Sequence, residues 1–263
     1  MIEGYSIRQL QSLSSIRSRK LRHIIHRCLQ LPPLPYKSFL LPFCKHLILD
    51  GTFLHKRISI IALMNATGHS IISGQYDLSE SSQKDLLQFL QPLKDLGLQP
   101  LSCTIDGNPQ VARTLKILWP SIILQRCIVH VQRQGLMWCR QNPKRYDAKL
   151  LRNILLKITS IHSHSAKNQL LIQIQNWEQR YGLKLNLLLE KGWVLSDLKR
   201  ARSMLLKALP NMFHYLDNPS IPTSTNGIEG YFARLKHRYR QHRGLAVTKR
   251  RLYFQHYFYL CPR

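Results

Sequence analysis

The chain has 263 residues, and its 44% hydrophobic content is enough to form a substantial core. Its 39 lysines and arginines outnumber 13 aspartates and glutamates, giving a formal net charge of +26 and a pI of about 10.3. This excess predicts a polyanionic partner. It favours nucleic acid over a membrane, because the basic residues are spread across segments with the apolar periodicity of folded structure, and no apolar run approaches the roughly 18 residues of a membrane span.

The amino terminus and the cysteines indicate a cellular compartment. The first ten residues lack the apolar core of a signal peptide, so we expect a cytoplasmic protein. The cysteines lie mostly in apolar contexts, which predicts reduced thiols rather than a disulfide framework. They are Cys28, Cys44, Cys103, Cys127, Cys139 and Cys261.

Residues 6–29 predict two short helices, because apolar residues recur at helical spacing on either side of Ser14-Ser15. The spacing suits a helix-turn-helix-like DNA-binding segment over residues 1–30. The alternative is a basic amphipathic helix that only touches phosphates or packs against the next domain. In either case the second helix carries a basic cluster: Arg17, Arg19, Lys20, Arg22, His23 and Arg27.

A proline-rich stretch, Leu31-Pro32-Pro33-Leu34-Pro35, predicts a stiff linker within residues 31–43. Residues 44–263 are then predicted to form one α/β domain. Its first strand is predicted over residues 44–49 and ends at Asp50-Gly51-Thr52. The next predicted elements are strands over 58–64 and 70–76, and a helix that Ser79 or Glu80 opens and that ends near Gly97.

A β-α-β unit follows. Leu101 to Ile105 suits a buried strand, and the turn sequence Asp106-Gly107-Asn108-Pro109 ends it. Asn108 is predicted to cap a helix that Pro109 begins, with the next strand at residues 122–124. Asp106 would then lie at the carboxyl end of a strand, where open α/β sheets commonly bind ligands.

The resulting order, β-β-β-α-β-α-β, is that of a ribonuclease-H-like mixed sheet, in which the first and fourth strands are neighbours. No convincing strand follows before residue 217, so we predict a helical insertion over about 140–217. A loop then leads to a strongly basic helix from Gly227 to about Arg240. Within the insertion, Trp177 and Trp193 are either core residues or platforms for an unpaired base.

Three acids are candidates for a two-metal site: Asp50, Asp106 and Glu229. Two Mg²⁺ ions about 4 Å apart need oxygen ligands that bridge and clamp them, and carboxylates from separate elements supply these. Each acid also has a structural interpretation. An Asp-Gly pair commonly forms a turn, and Glu229 is placed to form a capping box with Asn226. Asp77 is the reserve candidate.

Four motifs together resemble bacterial insertion-sequence transposases of the mutator-like group. They are Asp50-Gly51-Thr52, Ile105-Asp106-Gly107, Cys127-Ile-Val-His130 and Asn226-Gly-Ile-Glu229-Gly-Tyr-Phe-Ala-Arg-Leu-Lys236. The resemblance implies a ribonuclease-H-like catalytic core in which Asp50, Asp106 and Glu229 hold Mg²⁺, with Mn²⁺ as a substitute. It also implies that the insertion separates Asp106 from Glu229, and that the helix from Asn226 contacts DNA.

Cys127 and His130 are too few for a structural zinc site, which expects four ligands. The resemblance implies that the pair lies near the active site, where His130 would help position the scissile phosphate or a leaving group. The alternative is a core cysteine followed by a histidine that contacts phosphate from a helix surface.

The expected activity is cleavage of DNA at the element's 3′ ends, followed by strand transfer, by a homodimer acting at the bacterial nucleoid. Relatives usually carry a fuller amino-terminal DNA-binding region, so we expect a shortened copy. Two alternatives remain: a nuclease of the same fold that cuts without joining, and a non-catalytic DNA-binding relic. Further expected phosphate contacts are Arg126, Arg133, Arg234, Lys236, Arg238 and Arg240.

Overall fold

The computed structural model describes residues 2–31, 38–55, 58–187, 192–242 and 245–263. Residues 32–37 of the predicted linker and 188–191 of the predicted insertion lie outside the described residues.

The chain divides into two compact units that alternate along the sequence. The first comprises Met1–Cys103, Asn108–Ile122 and Asn226–Arg263. The second comprises Thr104–Gly107 and Ile123–Thr225.

The strands form a five-stranded mixed sheet in the order β3-β2-β1-β4-β5. The predicted adjacency of the first and fourth strands is therefore confirmed, whereas the ribonuclease-H-like assignment stays a prediction. β1 pairs antiparallel with β2, and β2 pairs antiparallel with β3. The strands are β1 (His46–His55), β2 (Ile58–Asn65), β3 (Ser70–Tyr76), β4 (Ser102–Ile105) and β5 (Ile123–Arg126).

The described helices match most of the predicted ones. They are α1 (Ile7–Ser14), α2 (Ser18–Gln30), α3 (Gln83–Asp95), α4 (Pro109–Leu118), α5 (Ile128–Cys139), α6 (Tyr146–Leu156), α7 (His164–Trp177), α8 (Trp193–Ala208), α9 (Asn226–Arg240) and α10 (Val247–Leu260). As predicted, Asn108 caps α4, and its Oδ1 accepts a 2.9 Å hydrogen bond from the Gln110 N–H. As predicted, the described part of residues 131–216 contains helices and no strand, whereas its role as an insertion within a catalytic domain stays a prediction.

Two boundaries differ most from the predictions. β1 does not end before Asp50 but continues to His55, because the backbone from Leu47 to Phe53 pairs in register with β2. Strand pairing thus overrides the turn preference of an Asp-Gly dipeptide. The helix α3 begins at Gln83 rather than near Ser79 or Glu80, and Ser82 caps it by accepting a 3.2 Å hydrogen bond from the Asp85 N–H.

α10 was not predicted, and it completes the core of the first unit. Its buried face is aromatic: Tyr253, Phe254, Tyr257 and Phe258. The Phe254 ring stacks on Tyr76 of β3 at 5.0 Å between centroids, and the Phe258 ring fills the space where Gly74 lacks a Cβ atom. Aromatic pairs four residues apart lie on one helical face, which is the signal that indicates this helix.

The second unit has a separate core made by its helices. Buried side chains from α5 to α8 form it, and it extends to Ile221 in the loop before α9. Trp177 belongs to this core, and its indole N–H donates a 2.8 Å hydrogen bond to the Asp147 C=O.

Candidate functional site

The first candidate acid, Asp50, lies inside β1 in the first unit. It stands opposite Ala62 of β2, and its side chain is half-buried. Its Oδ1 accepts a 2.8 Å hydrogen bond from the Gly51 N–H. The local backbone therefore holds one carboxylate oxygen of Asp50 against the strand.

A further acid, Glu80, lies beside the Asp50-Gly51 pair, and it is not among the acids predicted from the sequence. The Glu80 carboxylate occupies the space that a Cβ atom on Gly51 would fill, so its Oε1 packs against the glycine. The Glu80 C=O accepts a 3.3 Å hydrogen bond from Asn108 Nδ2. In the sequence, Glu80 indicates only a helix start, and its approach to Gly51 is a tertiary contact that no local pattern reports.

Glu229 lies in the first turn of α9 and is half-buried. α9 begins at Asn226, one residue before its predicted start. The helix dipole favours a carboxylate in this turn. Within the first unit, Glu229 lines a cavity of about 460 Å³ that Gly51 and Thr52 also line. The structure thus brings Glu229 to the same cavity as the glycine that follows Asp50.

Basic side chains also line this cavity. Lys236, His237 and Arg240 line it from α9. The Lys236 ammonium donates a 2.5 Å hydrogen bond to Thr52 Oγ1. Burial lowers the pKa of Lys236, and the nearby positive charge of Arg240 lowers this pKa further. A cavity with one acid and three basic side chains is suited to an anionic group.

Asp106 lies in the second unit, in the turn that follows β4. Gly107 has φ +101°, a conformation that L side chains rarely adopt. The Arg126 guanidinium from the end of β5 packs where a Gly107 Cβ atom would stand. Burial lowers the pKa of Arg126, and the negative charge of Asp106 opposes that shift. The glycine thus serves both the turn and the close approach of the cation.

Cys127 and His130 form one cluster with Thr225 in the second unit. Cys127 is fully buried and caps α5, where its Sγ accepts a 3.4 Å hydrogen bond from the His130 N–H. The His130 ring Nδ1 lies 3.3 Å from this sulfur and 3.3 Å from Thr225 Oγ1. Burial alone would raise the pKa of the Cys127 thiol, but hydrogen bonds from His130 and Thr225 bring it below its ordinary value.

The contacts of this cluster agree in part with each interpretation of the Cys-x-x-His pair, the positioning role and the purely structural one. Cys127 is a core residue, as the structural alternative holds. Its sulfur and Thr225 also fix the orientation of the His130 ring, as a positioning role requires. The role of His130 towards DNA stays a prediction.

The predicted basic cluster of α2 is exposed. The helix buries Leu21 and Leu29, and Leu29 joins the core of the first unit. One face of α2 therefore packs, while its basic side chains point to solvent. The exposed members are Arg17, Arg19, Lys20, Arg22, His23 and Arg27.

The remaining predicted phosphate contacts fall into two groups. Arg133, Arg234 and Arg240 are exposed, whereas Arg126, Lys236 and Arg238 are half-buried. Arg238 forms a 3.1 Å ion pair with Glu3 and lies over the Tyr257 ring.

The two tryptophans that could stack on an unpaired base differ in exposure. Trp177 is core, whereas the Trp193 side chain is 78% exposed at the start of α8. The reserve acid Asp77 is exposed directly after β3, with φ +61°.

Three further features concern the cysteines, the clustering of possible metal ligands and the length of the apolar helices. The six cysteines are free thiols, as predicted. Within the described ranges, no three histidine, cysteine or acidic side chains stand close enough together to hold a metal ion. None of the described helices has the length and apolar character to cross a membrane.

Comparison with known proteins gives one result that covers most of the chain. Residues 46–244 match the family model described as Transposase, Mutator family. The matched range contains Asp50, Asp106, Cys127, His130 and Glu229. A search of curated proteins finds no significant match.

Proposed function

The chain belongs to the Mutator family of transposases, and we propose that it cleaves DNA at the 3′ ends of an insertion sequence and transfers the freed ends to a target. Transposases cut and recombine DNA, so DNA is its partner. The observation that carries the proposal is the family match over residues 46–244, which includes the whole predicted acidic set. Asp50, Asp106 and Glu229 are the proposed metal ligands of an Asp-Asp-Glu (DDE) catalytic site in a ribonuclease-H-like fold.

The donor chemistry of these residues fits Mg²⁺, with Mn²⁺ as a substitute. All three are half-buried carboxylates, and hard divalent cations prefer oxygen ligands. When bound, such ions lower the pKa of a coordinated water and stabilise charge on a phosphodiester undergoing in-line displacement. The same ligands serve cleavage and strand transfer, because the two reactions differ only in the nucleophile.

The side chains around the acids have proposed roles of their own. Lys236, His237 and Arg240 bind a DNA phosphate in the cavity that Glu229 lines. His130 positions the scissile phosphate or the leaving group. Cys127 and Thr225 act through His130, because their contacts with Nδ1 fix the ring.

The exposed basic residues of α2 and α9 are proposed to hold the transposon ends as double-stranded DNA, in a homodimer at the nucleoid. Each phosphate contact releases counterions, so the affinity for DNA will fall steeply as salt concentration rises. Replacing Arg19 and Arg22 together by glutamine is expected to reduce this salt slope by about two. A slope equal to that of the unmodified protein would exclude α2 from the DNA interface.

The decisive experiment is cleavage and strand transfer by the purified chain with Mg²⁺. The substrate is labelled DNA that carries the inverted repeats flanking its gene, and Asp106→Asn is the matched variant. Joined products that the variant does not form would support the transposase. Cleavage without joining would support the nuclease instead. DNA retardation without cleavage, equal for both proteins, would support the DNA-binding relic.

A further inference from the structure

A half-buried cation lies directly against the glycine that follows one of the proposed metal ligands. Arg126 is the last residue of β5. Its guanidinium packs over Asp106-Gly107, in the space that a Cβ atom on Gly107 would fill. All three residues belong to the second unit. A substitution at Gly107 would have to displace this guanidinium, so the turn and the cation are matched to each other.

The charge of Asp106 acts on Arg126, but one nitrogen of the Arg126 guanidinium lacks a hydrogen-bond partner among the described residues. The Asp106 charge favours the charged form of Arg126 against the effect of burial. The Arg126 Nη1 atom is inaccessible to solvent and has no hydrogen-bond partner within the described part of the chain. A buried donor without a partner is costly, so this nitrogen would gain from a movement of the guanidinium to a place where it is hydrogen-bonded.

We propose that Arg126 is a tethered counter-ion, which neutralises Asp106 in the metal-free protein and is displaced when a divalent cation binds there. This inference rests on the proposed role of Asp106 as a metal ligand. Two positive charges cannot both stay close to one carboxylate in a half-buried site without strong repulsion. Binding of a divalent cation therefore competes with Arg126.

Removing the charge of Arg126 should raise the affinity for Mn²⁺, a change that damage to the fold would not produce. The test is Mn²⁺ binding to the full chain without DNA, measured by isothermal titration calorimetry. The neutral variant Arg126→Gln should bind Mn²⁺ on the order of tenfold more tightly, as is typical of coupling between competing ligands. Arg126→Lys keeps the charge and should bind close to the unmodified protein.

A control variant separates local competition from the loss of net charge, and a second neutral variant supports the test. Arg133→Gln removes one exposed arginine from the neighbouring helix α5, and it should leave Mn²⁺ affinity within about twofold, because exposed charges are well screened. Arg126→Met is a second neutral variant that retains the packing of the aliphatic stem, for use if Arg126→Gln does not fold.

The outcomes distinguish this inference from the proposed function. If Asp106→Asn binds Mn²⁺ as the unmodified chain does, Asp106 is not a metal ligand, and both proposals fail. If Asp106→Asn loses binding while neither neutral Arg126 variant binds more tightly than Arg133→Gln, only the counter-ion role is overturned. Tighter binding by the neutral Arg126 variants alone would support it.

Discussion

The two Asp-Gly pairs of the chain look alike in sequence and differ in structure. Asp50-Gly51 lies inside a paired strand, and the Glu80 carboxylate packs against its glycine. Asp106-Gly107 forms a turn with a positive φ, and the Arg126 guanidinium packs against its glycine. The same dipeptide is therefore used once beside an anion and once beside a cation. Local sequence alone does not determine the charge environment of a candidate catalytic acid.

The largest expected effect tests what the two pairs share. Asp50→Asn and Asp106→Asn should each reduce DNA cleavage more than about 100-fold, because loss of a direct metal ligand exceeds the 10- to 100-fold cost of changing its outer partners. Cleavage rates with Mg²⁺ measure this, and circular dichroism controls for folding. Asp77→Asn is the matched control and should stay near full activity. Full activity of either ligand variant would remove that acid from the site.

The next effect tests how the glycines differ. Gly107→Ala should lower the free energy of unfolding by at least about 1–2 kcal/mol, because alanine is strained in the left-handed region and its Cβ atom would displace the Arg126 guanidinium. Gly51→Ala should cost less, because its main obstacle is the end of the flexible Glu80 side chain. Urea denaturation compares them. Equal losses would show that neither the positive φ of Gly107 nor its contact with Arg126 makes this glycine harder to replace than Gly51.

A smaller effect concerns the residue that follows Arg126. Cys127→Ala removes the sulfur that accepts hydrogen bonds from His130 and Thr225, and should cost about 1 kcal/mol of unfolding free energy. Because the folded pKa of Cys127 lies below its unfolded value of 9.0, the thiolate adds stability that is fully present above pH 9. That contribution is lost as pH falls through the folded pKa. The stability difference between the two proteins should therefore grow as pH rises towards 9. A difference independent of pH would contradict this.

The smallest effect contrasts the two charged neighbours directly. Glu80→Gln removes the anion beside the Asp50-Gly51 pair and should weaken Mn²⁺ binding by roughly threefold, since a partly exposed charge in a high effective dielectric contributes little. This change is opposite in sign to the tighter binding expected of Arg126→Gln. Glu178→Gln, in the second unit and paired with Arg202, is a control for the loss of one acid. Tighter binding by Glu80→Gln would overturn the contrast.

Local signals explain what the sequence could predict. The cap at Asn108 and the helix start at Pro109 depend on neighbouring residues, and the structure contains both. The extension of β1 past Asp50 depends on pairing with β2, and the approach of Arg126 to Gly107 depends on a contact between distant residues. The three candidate acids and the Cys127–His130 pair could be selected by type and order, whereas Glu80 and Thr225, the distant partner of Cys127, could not. Tertiary contacts select these, and no spacing rule encodes them.

The alternation of the two units along the chain has a consequence for synthesis on the ribosome. The core of the first unit joins Ile48 and Ile60 to Tyr253 and Phe254. All of Ile123–Thr225 is translated between these two groups. The second unit can therefore fold while the first still lacks α9 and α10, which exposes the apolar face of the sheet during that interval. Premature termination between Thr225 and Val247 would leave a folded helical unit attached to a sheet whose apolar face lacks the cover of α10.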